Sequence, residues 1–199
     1  MAYDNLLVVS AFKTASLVFF SFSMPFILLA VRKFRQNKLE ETVAGRLIFA
    51  TAFGMLFTAY ENFAPKPSWT VSIVMELAFC ASLIWTILAL EPKSQPKPAL
   101  RHSPVIMALP PISISLGVFA KLSLKVYAMV LVLKSFSLNN EPSYACSKRL
   151  RSFLEVMCIS LLMFAVSDVV VWSQTYSWGI YSLASLTFFY AVWNWYSGT

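Results

Sequence analysis

Long stretches of this chain carry almost no charge: Leu6–Val31, Leu47–Phe63, Trp69–Leu90, Phe153–Val171 and Gly179–Tyr196. Runs of this length match the roughly 30 Å hydrocarbon thickness that a helix of about 20 residues spans. With 58% hydrophobic and 13% charged residues, a soluble domain is excluded. The fold class that follows is all-α: one multi-pass transmembrane helix bundle over residues 1–199, with no stretch polar enough to form a separate soluble domain.

The net charge of +7 does not point to nucleic acid. The basic residues sit in short loops beside apolar spans, where they set orientation and meet anionic headgroups, so the lipid bilayer is the expected partner. The first span is expected to remain in place rather than be removed as a signal peptide, because no basic leader precedes it and no small-residue cleavage site follows. Cys80, Cys146 and Cys158 are odd in number and widely spaced, which implies neither a disulfide framework nor a metal site.

Span one, about 6–31 with Pro25 as a tolerated kink, ends in the basic run Arg32–Lys38. That run marks the cytoplasmic side and puts the N-terminus outside. Span two, 47–63, returns outward to a short turn ending at Trp69, and span three, 69–90, runs inward to a proline-rich linker carrying Lys93, Lys97 and Arg101. Residues 104–136 decide the count, since as one helix they would be roughly 50 Å long. A single crossing would bury Lys121 and Lys125 near mid-bilayer at roughly 3 kcal/mol each and would place Lys148, Arg149 and Arg151 outside. Seven segments are therefore preferred, with six as the alternative: a short or re-entrant segment 104–117 broken by Pro110-Pro111, an inward span 119–136, then 151–172 and 178–196. Trp172 and Trp178 would join the outer aromatic belt, and the C-terminus would be cytoplasmic.

An internal repeat is visible at a shift of 107 positions, which lays Leu47 on Leu154, Phe57 on Phe164, Glu61 on Asp168 and Thr70 on Ser177. Two three-helix units in the same orientation need one crossing between them, giving a 3+1+3 parallel layout. Small residues at Ala50 and Gly54, and at Ala78 and Ser82, have the spacing that lets helices approach closely.

Ionisable side chains within spans are costly and usually face the bundle interior. Lys13 and Glu76 each lie about two turns in from the outer end of a span, so both sit roughly 10 Å below the surface. Glu61 and Asp168 end outward-going spans on the same side, and Lys121 and Lys125 join them in the seven-segment scheme. The expectation is an outward-facing polar cavity in which Lys13 pairs with Glu76. Alternatives stay open: Glu61 as an interfacial helix end, and the three lysines snorkelling to headgroups. Glu155 is expected to form a structural ion pair with Arg151 one turn earlier.

Several chemistries are excluded. The lone His102 lies in a loop, so paired-histidine haem ligation and the histidine-dependent membrane hydrolases lack their ligands and bases. The last span has no lysine for a retinal Schiff base, and no glycine-rich phosphate loop is present. No cofactor is expected. The three-one-three layout resembles that of the small sugar carriers of the SWEET type, and equally that of many multi-pass sensory input regions. The carriers' proline-glutamine signature is missing, Gln95-Pro96 being reversed and in a loop, so the resemblance covers architecture alone and carries over no functional residue. The expected function is a non-enzymatic sensory, regulatory or accessory membrane subunit, acting with another membrane protein, since the chain ends at Thr199 just past the last span without an output domain. The alternative is a small proton- or cation-linked transporter or channel, and a lipid-directed enzyme is a third reading.

Overall fold

In the computed structural model, residues 6–90, 113–138, 147–170 and 173–198 are described. They form α1 (Leu6–Lys33), α2 (Lys38–Phe63), α3 (Trp69–Ile87, continued by a 3-10 turn Leu88–Leu90), α4 (Ser113–Leu138), α5 (Lys148–Val169) and α6 (Gln174–Ser197). Among the described residues there are no strands. Four helices are long and apolar enough to cross a membrane: 6–33, 38–63, 69–90 and 148–169. The other two complete the bundle.

Local chemistry sets the helix ends. Asn37 caps α2 by accepting from the Leu39 and Glu40 amides, and its own amide donates to the Glu40 carboxylate at 3.2 Å. Glu40 and Glu41 then stand in the first turn, where the helix dipole favours negative charge. This cap starts α2 nine residues before the expected span 47–63, because charged residues are excluded from hydrocarbon but not from a helix that extends beyond it. Ser147 and Ser173 cap α5 and α6, and Gly198 closes α6 in a left-handed conformation at φ 79°. Hydroxyls inside the helices bond back to the carbonyl one turn earlier, as Ser23, Thr51, Thr58, Thr86 and Ser185 do, so these serines and threonines enter an apolar bundle with their donors satisfied.

Each helix packs on its neighbours in chain order, and α6 closes the ring on α1. Phe20 of α1 sits at the centre, fully buried, 5.6 Å from the Phe79 ring of α3, 6.3 Å from Phe164 of α5 and 5.4 Å from Phe188 of α6. On α2, Gly54 makes room for the same ring: a methyl group there would lie 2.8 Å from it. A second aromatic group, Trp195 against Phe34 and Phe153, fills the far end.

Side-chain contacts give the direction of every helix. The starts of α1, α3 and α6 meet the ends of α2 and α5 at one face, through Lys13 to Glu61, Ser72 to Glu61 and Ser177 to the Ser167 carbonyl. The opposite face carries Lys33 bonded to the Tyr196 carbonyl, Asn194 bonded to Ser152, and the basic residues 32–38 and 148–151. α4 begins on the first side and ends on the second: Lys121 and Lys125 reach Glu76 early in α3, whereas Val132 lines an apolar pocket with Leu83, Thr86, Ile87 and Leu90 late in α3. α3 and α4 therefore run in the same direction.

The expected break between 104–117 and 119–136 is corrected, because α4 is one continuous helix through Gly117 and Val118. Nothing in that stretch interrupts the hydrogen-bond ladder; the only prolines of the region, Pro104, Pro110 and Pro111, precede Ser113. Residues 104–112, the linker with His102, Cys146 and Trp172 lie outside the described residues.

Gly54→Ala is expected to lower the thermal midpoint in detergent, with a cost of about 1–3 kcal/mol for forcing the Phe20 ring aside. A paired Gly54→Ala, Phe20→Leu variant should recover part of the loss in the same melt.

Candidate functional site: a buried charge network

Lys121 and Lys125 are one turn apart on α4 and so share a face. That face meets Glu76, two turns into α3, and Asp168, in the last turn of α5. The Lys125 ammonium lies 2.6 Å from Glu76 Oε1 and 2.6 Å from Asp168 Oδ2, and donates a third bond to the Phe164 carbonyl at 3.2 Å. All three of its N–H groups are thereby used. Lys121 lies 2.5 Å from Glu76 Oε2 and 3.5 Å from Asp168 Oδ1. Each ammonium touches both carboxylates, and the formal charges sum to zero. The side chains of Lys125, Glu76 and Asp168 are 1%, 3% and 7% exposed, against 17% for Lys121, which closes the network on the outside.

Lys13 and Glu61 form a second, separate pair. The ammonium lies 3.1 Å from Glu61 Oε2, donates to the Glu61 carbonyl at 2.9 Å, and stands 4.9 Å from the centre of the Trp178 ring. Ser72 donates to the other carboxylate oxygen, and Asn62 bonds Thr14 at 3.0 Å beside it. The expected pairing of Lys13 with Glu76 is thus corrected. Equal depth along two helices does not make two side chains neighbours: α1 packs on α2 and α6, while Glu76 faces α4 and α5.

The six expected residues therefore divide into a pair and a quartet. Arg151 and Glu155 pair at 3.2 Å across one turn, more than half exposed, at the basic face. Such a pair contributes only about 0.3–0.5 kcal/mol. Among the described residues no group of His, Cys, Asp or Glu is arranged to hold a metal ion.

Two participants carry no sequence signal of their own. Trp178, expected only as a belt residue, holds Lys13 and stacks at 6.0 Å on Phe57. Tyr181 is buried with its ring against Phe57, Phe164 and Trp178, and its hydroxyl has no hydrogen-bond partner among the described residues. A tyrosine in an aromatic-rich helix reads as packing or interface, and only its neighbours reveal a hydroxyl closed in among aromatic rings. Chemically, the quartet can hold helices together or respond to a change in charge. Adding a proton to either carboxylate leaves an ammonium in apolar surroundings without full compensation.

No protein-family model, curated protein or solved structure matches this chain.

Removing one partner of a buried pair costs about 3–5 kcal/mol, because the other charge is stranded. Glu76→Gln should therefore reduce folded yield and detergent melting temperature sharply, and Lys125→Met should restore part of the loss, whereas Lys13→Met should add its own loss. A double-mutant cycle in detergent stability measures this coupling. Glu61→Gln with Lys13→Met should couple more weakly, since both groups are partly exposed to solvent.

Proposed function

We propose that this protein is a non-enzymatic integral membrane module, a sensory, regulatory or accessory subunit in the cell membrane, in which the Lys121–Lys125–Glu76–Asp168 quartet is the responsive element. The observation that carries this reading is saturation: Lys125 has spent all three donors inside the network. Groups whose valences are used on one another suit a lock between helices better than acid–base or nucleophilic work on a substrate. The quartet joins α3 to α4 and α5, so a ligand or partner helix that drew away Lys121, its most exposed member, would loosen those three helices against each other. In that loosened state the outer half of the bundle opens as a polar cavity.

The orientation in this reading follows the charges. Arg32, Lys33, Arg35, Lys38, Lys148, Arg149 and Arg151 gather at one face, which we place in the cytoplasm, with the N-terminus outside. Since α3 ends at one face and α4, which runs the same way, begins toward the other, we propose seven crossings in a three-one-three layout. A shift of 107 positions, which lays Glu61 on Asp168, is what supports a parallel repeat. In that register Lys13–Glu61 and Lys121–Asp168 correspond within one residue, each between the first and second helix of its half.

A small proton- or cation-linked transporter is the second reading. It is favoured by one observation, that the two same-direction halves meet at ionisable groups.

Cysteine accessibility checks the orientation: Lys66→Cys should react with an impermeant maleimide from outside, and Arg35→Cys and Lys148→Cys only after permeabilisation. Reaction of Lys148→Cys from outside would overturn it. Two measurements separate the functions. Solubilisation in mild detergent should retain another membrane protein if the chain is a subunit, and Lys121→Gln should weaken that association several-fold. In reconstituted vesicles, pH-dependent cation flux abolished by Glu76→Gln would establish the transporter instead.

A further inference from the structure

Away from the quartet, on the lipid-facing side near the basic face, Arg46 of α2 meets α3. Its guanidinium donates to the Trp85 carbonyl at 2.7 Å and lies 4.7 Å from the centre of the Trp85 ring. Phe49, one turn further along α2, packs edge-on against the same ring at 5.7 Å. Trp85 and Phe49 are nevertheless 46% and 53% exposed, and Leu88 is 37% exposed, so aromatic and aliphatic groups are presented outward beside the guanidinium.

Charge makes this place unlike the rest of the basic face. Arg46 stands about 12 Å along α2 from its first residue, well inside the helix rather than at its end. Among the described residues it has no carboxylate within ion-pair distance. At the edge of the apolar run that begins at Leu47, this half-buried guanidinium has no counter-charge among the described residues, and there only one of its five N–H groups is committed, to the Trp85 carbonyl. The remaining fork has the geometry that takes two oxygens of a phosphate. The exposed rings beside it run toward the membrane centre, where an acyl chain would lie.

We propose that Arg46, Trp85 and Phe49 form a binding site for one anionic phospholipid, with the headgroup phosphate on the Arg46 guanidinium and an acyl chain along the Trp85 and Phe49 rings. Trp85 serves two purposes: it fixes the guanidinium through its ring and carbonyl, and it supplies apolar surface to the chain below. The phosphate completes the charge balance that the protein leaves open at this point. The site is independent of the quartet and of the function assigned to it.

The test is native mass spectrometry of the full chain released from nanodiscs of phosphatidylcholine containing a tenth part of phosphatidylglycerol. The wild-type protein should retain one phosphatidylglycerol several-fold more often than the nanodisc ratio predicts. Arg46→Gln should abolish that preference, and Trp85→Leu should reduce it, while Lys38→Gln, which removes an equal charge at the exposed start of the same helix, should leave it unchanged. If Arg46→Gln folds poorly, quenching by brominated phosphatidylglycerol decides: it should exceed quenching by brominated phosphatidylcholine in the wild type and lose that excess in Trp85→Phe. Equal retention by wild type and Arg46→Gln, equal loss in Lys38→Gln, or equal quenching by the two lipids would overturn the site.

Discussion

Two ammonium groups and two carboxylates cannot enter an apolar helix bundle singly. The idealised cost of moving one such ion from water into a medium of low dielectric is on the order of 20 kcal/mol, and even after relaxation several kcal/mol remain for each. The quartet meets that cost by mutual contact, each charge touching both of its opposites. The rest of the architecture depends on this. To bring Glu76, Asp168 and both lysines together, α4 must pass beside both α3 and α5 at that depth, and the contact of Val132 with the end of α3 sets its direction. A one-turn slide of α4 would carry Lys125 away from Asp168 and leave charge stranded in hydrocarbon-like surroundings.

Below that polar layer the core is aromatic. Phe20 gathers Phe79, Phe164 and Phe188 around the axis, and Gly54 admits its ring against α2. Farther on, the space between α2, α3, α4 and α5 is lined by Leu47, Leu83, Val132, Phe153 and Met157. Charged groups near one face, the Phe20 cluster in the middle and mixed aliphatic and aromatic side chains near the other divide the interior into three layers. In this conformation the ionised groups are separated from the basic face by closely packed rings. Any movement of charge or ligand between faces would require the phenylalanines to part, in keeping with the proposed lock that responds at one side.

The amino-acid pattern carried the pieces of the site better than their partnerships. Lys13, Glu61, Glu76, Lys121, Lys125 and Asp168 stand out because charge is rare in the apolar runs, and the rise of a helix gives each a depth. Depth alone led Lys13 to Glu76, whereas Lys13 lies against Glu61 and Trp178. Tyr181 was not legible, since nothing in a run of aromatic residues marks one hydroxyl as buried without a hydrogen-bond partner among the described residues. The start of α2 was missed for a different reason. Hydropathy reports where lipid begins, while the Asn37 cap decides where the helix begins.

By itself the sequence determined that the chain is a bundle of helices, which of its side chains are too polar for their surroundings, and how far along its helix each one sits. Those are one-dimensional quantities, set by transfer energy and by a fixed rise per residue. Tertiary structure alone decided which helix stands beside which, that α4 is unbroken, that lysines from one helix meet acids from two others, and that Arg46 is left facing outward against Trp85. Azimuth around a helix axis and the identity of a neighbour depend on how all the surfaces fit at once, and no single stretch of residues contains that information.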